Sequence, residues 1–240
     1  MTIRQSGSNV LKYIKFLSDY LRFKASVSKG EKRFPLTWKD RYPCLHDRTQ
    51  STEFDAHYLY HPAWAARILA QEKPELHIDI SSSILFCSVV SAFVPIKFYD
   101  YRPANIALSD LSCDAADLLA LPFPDGSIGS LSCMHVVEHV GLGRYGDPLD
   151  PEGDIKAIAE LTRVLASGAS LLFVVPIGKA RIQFNAHRIY SYSQIISYFK
   201  GLQLKEFSLV MDGNGGFIRN ATKEMADQQL YGCGCFWFTK

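Results

Sequence analysis

The chain has 240 residues, 48% hydrophobic and 21% charged, a balance that supports a packed core and excludes a disordered or fibrous protein. Its 26 basic and 24 acidic side chains leave a net charge of +2, which excludes a broad cationic surface, so no nucleic-acid partner is expected. Six scattered cysteines, with no C-x-x-C pair and no secretory signal ahead of them, point to a reduced, cytoplasmic compartment.

Val10, Leu11, Ile14, Leu17, Tyr20 and Leu21 recur at helical spacing with Lys12, Lys15, Arg22 and Lys24 on other faces, which predicts a basic amphipathic helix. Such a helix makes peripheral contact with anionic lipid, packs on its own domain, or meets a twin subunit in a homodimer. Lys29 to Thr52 is polar and broken by Pro35 and Pro43, so it reads as loop. His61 and Pro62 precede Ala63 to Gln71, a pattern that reads as a proline-initiated helix.

From residue 75 short apolar runs alternate with helical patterns, the signature of βαβ units and a parallel sheet. Strands are expected at 76–80, 96–100, 111–114, 128–134, 170–175, 204–211 and 233–238, and helices at 84–93, 152–165 and 193–199. Asp150 suits the cap of the 152–165 helix, Pro151 its first turn and Gly168 its left-handed end. The uncharged run Ile80 to Ile96 is serine-rich, carries Pro95 and is short for a bilayer, so no transmembrane span is expected.

Ligands of an open α/β sheet sit beyond the carboxyl ends of its strands, where strand order reverses. The polar residues expected there are Asp79 with Ser81 to Ser83, Asp100 with Tyr101 and Arg102, Asp114 with Asp117, and His135 with Glu138 and His139. Asp100 follows the first loop by about twenty residues, the spacing at which an acid accepts the hydroxyls of an adenosine ribose. The loop itself, Asp79-Ile80-Ser81-Ser82-Ser83-Ile84-Leu85, has no glycine, which excludes the dinucleotide fingerprint G-x-G-x-x-G.

Leu121-Pro122-Phe123-Pro124-Asp125-Gly126-Ser127-Ile128, Met134-His135-Val136-Val137-Glu138-His139-Val140 and Glu160-Leu161-Thr162-Arg163-Val164-Leu165-Ala166-Ser167-Gly168 before an apolar strand resemble class I S-adenosylmethionine-dependent methyltransferases. Gly141-Leu142-Gly143-Arg144-Tyr145-Gly146-Asp147-Pro148, Phe184-Asn185-Ala186-His187-Arg188-Ile189-Tyr190-Ser191 and Tyr231-Gly232-Cys233-Gly234-Cys235-Phe236-Trp237-Phe238 look like an uncharacterised methyltransferase-like family first catalogued from nematode proteins and also found in bacteria. The resemblance covers roughly residues 55–240. It implies an α/β, Rossmann-like sheet, mostly parallel with an antiparallel final strand, behind an N-terminal helical and irregular extension over 1–54.

It also implies S-adenosylmethionine as cofactor. Asp79, Ser81 and Ser83 would border its methionine part, Asp100 and Tyr101 its ribose, Asp114 and Ala115 its adenine, and Met134 and His135 would close the pocket. The serines stand where methyltransferases keep glycines, which weakens donor affinity, and Ser167 and Ala169 replace the usual proline and glycine of a turn. The acceptor expected is the hydroxyl of a small molecule or glycan. His187 and His139 are the candidate general bases, because histidine titrates near neutrality, and Arg144, Tyr145 and Arg188 are the candidate acceptor contacts. The rival reading is a binding or scaffold protein that kept the fold and lost the donor.

No metal is expected. His135-Val136-Val137-Glu138-His139 matches the zinc-peptidase pattern H-x-x-E-H, yet it follows a strand directly and Gly141 and Gly143 break the helix that chemistry needs. Asp147, Asp150, Glu152 and Asp154 lack the spacing of a calcium loop. Cys233 and Cys235 share one face of a strand and read as buried, inert thiols.

Overall fold

A computed structural model of the chain describes residues 3–27 and 33–240. It divides into two compact units, Met1–Phe54 and Asp55–Lys240. In the first, α1 (Ile3–Val27) is the expected amphipathic helix, and its Val10, Leu11, Ile14 and Leu21 are exposed. Residues 33–54 are irregular apart from one tight turn at Trp38–Asp40, where the Arg41 guanidinium lies 4.4 Å from the Trp38 ring and Tyr20 meets the same ring edge-on at 5.0 Å. Residues 29–32 of the expected loop lie outside the described residues.

The second unit opens with α2 (Ala56–Glu72), β1 (His77–Ile80), α3 (Ile84–Val90), β2 (Ile96–Asp100), β3 (Leu111–Ala115) and β4 (Ile128–Met134). It continues with α4 (Gly153–Val164), β5 (Leu165–Ile177), the hairpin β6 (Arg181–Gln183) and β7 (His187–Ile189), and α5 (Tyr192–Tyr198). β8 (Gln203–Val210), β9 (Phe217–Ile218), α6 (Lys223–Asp227) and β10 (Gly232–Thr239) complete it. One sheet runs in the order β3-β2-β1-β4-β5-β10-β8-β9, and β6 and β7 pair apart from it. β1 to β5 are mutually parallel, while β10 lies antiparallel between β5 and β8.

β5 has apolar residues on both of its faces because helices cover both sides of the sheet. Leu171, Phe173 and Val175 pack with Ile158, Leu161 and Phe199 on one side, and Leu172 and Val174 pack with Trp64, Ile68, Phe86 and Val90 on the other. The two-residue period of the strand produces that division. Trp64 also anchors α2, its Nε1–H donating to Glu206 Oε1 on β8 at 2.8 Å.

Three local expectations are corrected. Pro62 lies inside α2 and does not start it; the helix begins earlier because the Asp55 carboxylate accepts the Tyr58 N–H at 3.2 Å and caps it. α4 ends at Val164 and the chain passes straight into β5, so Gly168, at φ 77°, sits within that strand, inside the register irregularity of the β4–β5 ladder between Leu165 and Ser170. Asp150 binds the Glu152 N–H at 3.0 Å and Lys156 Nζ at 2.6 Å, just ahead of the helix.

His77 lies wholly buried in β1, with Nδ1 2.7 Å from Ser130 Oγ and Nε2 2.8 Å from Ser132 Oγ. Burial pushes its pKa down from 6.5 to about 3. The unfolded chain therefore takes up a proton below pH 6.5 that the fold refuses, and stability falls as pH drops from 6.5 towards 3. In urea titrations His77→Gln is expected to show a shallower loss than wild type over this window, the difference reaching about 3 kcal/mol at pH 4.

Candidate functional site

Strand order reverses between β1 and β4, and the carboxyl ends of β1 to β4 gather the residues expected to meet a nucleoside. Asp79 is fully buried: Oδ1 accepts the Ser82 N–H at 3.0 Å, and Ser132 Oγ–H donates to Oδ2. Since the Ser132 hydrogen is given to the carboxylate, its oxygen accepts from His77 Nε2–H, and His77 Nδ1 accepts in turn from Ser130. Three directed hydrogen bonds thus run from the interior to the site. Burial lifts the Asp79 pKa to about 6 against the lowering effect of Ser132 and Ser82.

The three serines are bound into the protein. Ser81 takes the left-handed φ of 56° usual for glycine and bonds the Tyr99 carbonyl through N–H at 2.7 Å and Oγ at 3.2 Å. Ser82 Oγ accepts the Met134 N–H at 2.9 Å, and Ser83 caps α3. The hydroxyls that stand in place of glycine are therefore directed at β2, β4 and α3. At the end of β2, Asp100 Oδ1 accepts the Arg102 N–H at 2.7 Å. Ala115 stands opposite Asp100 in the β2–β3 ladder, Asp114 opposite Tyr99, and Asp114, Ala115 and Tyr101 are exposed. Met134 is buried, and His135 follows it at φ 57°.

Beyond β4 lies a cluster of rings. His135 stacks on His57 and on Tyr58, each at 5.5 Å between centroids, and meets His61 edge-on at 5.0 Å. Tyr231 stacks on both His57 and His187 at 5.1 Å, and His187 lies 6.2 Å from His139. Buried Glu138 places Oε1 2.8 Å from His135 Nδ1 and 3.8 Å from His139 Nε2.

The partners assign the tautomers. His135 Nδ1–H donates to Glu138, His61 Nδ1–H to the His57 carbonyl at 2.7 Å, and His139 Nδ1–H to the Ala186 carbonyl at 2.6 Å. Each ring therefore offers a lone pair on Nε2. Burial, reinforced by His135, lowers the pKa of His57 to about 4 and that of His61 well below its usual value, and burial lowers that of His187. Burial and then Glu138 raise Tyr58, and Tyr231 to about 12. Among the described residues, the buried side-chain polar atoms without a hydrogen-bond partner are His61 Nε2, His135 Nε2, His187 Nε2 and Glu138 Oε2, all in this cluster. Buried polar atoms are rarely left unpaired, so their concentration here makes the cluster the candidate site.

The expected acceptor contacts divide. Tyr145 has the Arg102 and Arg144 guanidinium carbons 5.0 and 5.1 Å from its ring, which joins the loop after β4 to the end of β2. Arg144 also donates to the Ala186 carbonyl at 3.0 Å. Asp147 shapes that loop by accepting the N–H groups of Gly141, Gly143 and Tyr145. Arg188 is corrected: it is buried, donates to the carbonyls of Val140, Asp150 and Pro151, and lies 3.5 Å from Asp154, so its guanidinium holds loop to helix and does not face an acceptor.

His57, Tyr58, His61, Tyr231 and Cys233 were not expected at the site. The i, i+4 spacing of His57 and His61 puts them on one helical face, the one local signal that could have grouped them. A groove of about 200 Å³ lined by Ile68, Leu69, Glu72, Ser130 and Ser170 among others includes no candidate residue; it lies beside the early part of β4, away from the carboxyl ends where the unpaired atoms collect.

A sheet with this strand order, reversed between β1 and β4 and closed by an antiparallel β10, is the fold of the class I S-adenosylmethionine-dependent methyltransferases. YcgJ from Bacillus subtilis superposes over 76% of this chain and 98% of its own, with a TM-score of 0.54 and 13% identity. N-methyltransferase NodS from Bradyrhizobium japonicum WM9, crystallised with S-adenosyl-L-homocysteine, superposes over 82% of this chain and 91% of its own, with a TM-score of 0.51 and 14% identity. Within the fold, residues 126–214 match the family described as Caenorhabditis protein of unknown function, DUF268, over less than half of the chain. No curated protein sequence matches. Among the described residues no helix is long and apolar enough to cross a membrane.

The Asp79 network is expected to carry stability. Asp79→Ala strands the Ser82 N–H and the Ser132 hydroxyl and is expected to cost about 2–4 kcal/mol in urea unfolding, whereas Ser82→Ala, which frees the Met134 N–H and leaves the Ser82 N–H and Ser132 hydroxyl on Asp79, costs about 1–2 kcal/mol.

Proposed function

We propose that residues 55–240 form an S-adenosylmethionine-dependent methyltransferase acting on a small-molecule or glycan hydroxyl. The observation that carries the reading is the convergence of Asp79, the serine loop, Asp100, Asp114, Ala115 and Met134 on the carboxyl ends of four adjacent parallel strands, at the reversal of strand order. The residues fit the donor in two respects. Ser81 makes the left-handed turn without glycine, and its hydroxyl and that of Ser82 are spent on backbone partners.

Bound S-adenosylmethionine would supply a methyl group activated by its sulfonium. Asp79, Ser81 and Ser83 would border the methionine part; Asp100 and Tyr101 would hold the ribose, Asp114 and Ala115 the adenine, and Met134 and His135 the inner wall. His187 Nε2, buried and unpaired, would take the proton of the acceptor hydroxyl and become an imidazolium. His139, with its Nε2 lone pair beside Glu138, is the second candidate base. Arg144 and Tyr145 would meet the acceptor. Positioning supplies the larger share of such a displacement.

The scaffold reading has its own support, since the loop that would receive the donor is closed onto β2 and β4 by its own hydrogen bonds. The two readings part in a thermal-shift titration. S-adenosylhomocysteine at a hundred times its dissociation constant is expected to stabilise the folded protein by about 2.7 kcal/mol, and no shift at millimolar ligand favours the scaffold. Asp100→Ala is expected to remove the shift. His187→Ala is expected to keep it and to slow turnover by about 10²- to 10⁴-fold; equal loss of binding in both variants would undo these roles.

A further inference from the structure

Cys233, read from the sequence as inert, lies at the base of the ring cluster. One ligating atom each from His57, His135 and Cys233 falls within 4.8 Å of the others, from three elements far apart in the chain: the first turn of α2, the residue after β4, and the start of β10. Neutral imidazole and thiolate are the ligands that late first-row metals take, and ligating atoms about 3.3–3.6 Å apart surround a tetrahedral zinc. Closing the triangle asks for about 1 Å of movement on that geometry.

A second observation points to the same ligand. His135 is about nine-tenths buried, and its Nε2 has no hydrogen-bond partner, because Nδ1–H is given to Glu138. A carboxylate holding the far nitrogen of an imidazole is the arrangement that orients metal-binding histidines. His61 adds another unpaired, buried Nε2 on a ring 5.0 Å from His135.

We propose that His57, His135 and Cys233 bind one divalent late first-row metal ion of the zinc class, with Glu138 as positioning residue and a fourth position open. The Cys233 proton leaves as the metal–sulfur bond forms, so binding releases acid. The H-x-x-E-H string thus contributes His135 as a ligand and Glu138 behind it, and the remaining ligands come from α2 and β10. The site shares His135 with the wall of the proposed donor pocket, while His57 and Cys233 lie outside the donor residues, and metal binding is read without donor or acceptor.

The test is a cobalt titration of untagged, chelator-treated full-length protein, with neither methyl donor nor acceptor present. One equivalent of cobalt(II) is expected to raise a thiolate-to-metal charge-transfer band that zinc(II) abolishes stoichiometrically. Cys233→Ala should remove the band while Cys235→Ala, 4.0 Å away in the same strand, retains it. Glu138→Gln should weaken cobalt binding by about 10- to 100-fold. Because Cys233 is wholly buried, His57→Gln, at a half-buried position, is the second ligand variant and should weaken binding more than Glu138→Gln does. Circular dichroism reports the fold of each variant. The proposal is overturned if folded wild-type protein gives no band with an equivalent of cobalt, if the band survives in Cys233→Ala, or if Cys235→Ala alone abolishes it. A failure here leaves the S-adenosylhomocysteine titration untouched, and the reverse holds.

Discussion

The second unit depends on one buried carboxylate at the point where the sheet changes direction. Asp79 has lost its water, and the fold offsets that cost with directed donors: a backbone N–H from its own loop and a hydroxyl from β4, the latter oriented by a buried histidine. The same hydrogen bonds that make the charge tolerable also set the loop's distance from β4. Ser82 completes the closure by taking the N–H of Met134, just beyond the pairing of β4 with β1. A loop built this way needs no glycine to turn, because its hydroxyl groups satisfy backbone atoms that would otherwise face the ligand.

Opposite this tightly paired half stands a half that is conspicuously unpaired. Four buried side-chain atoms of the ring cluster have no protein partner, and three of them are imidazole nitrogens. Burial keeps His57 and His61 neutral near pH 7, so these rings present lone pairs in place of positive charge. Lone pairs in a buried, low-dielectric cluster suit a proton acceptor or a cation, and the geometry divides the two tasks. His187 and His139 lie beside the hairpin loop at Ala186, while His57 and His135 lie against β10 and its thiol.

Much of the sheet was legible in the sequence, because alternating apolar runs state which residues face which layer, and β1, β2 and β4 fall within a residue of the expected spans. Boundaries set by competition between local signals were not legible. Pro62 reads as a helix start only until Asp55 is seen to cap first, and Gly168 reads as a helix end only until β5 is seen to begin at Leu165. The hairpin of β6 and β7 has too few apolar residues to announce itself, yet it carries His187.

The sequence by itself determined the class of the fold, the order in which acids and histidines arrive at strand ends, and the absence of glycine from the first loop, since all of these follow from local pattern and composition. Only the tertiary structure decided which side chains share a cluster. His57 and Cys233 lie 176 residues apart in the chain, and no periodicity relates an N-terminal helix to a final strand. They meet because α2 is pinned to β8 by Trp64 and Glu206, and because β10 is inserted antiparallel between β5 and β8. The same packing buries Arg188 against backbone carbonyls, a role its charge could not disclose.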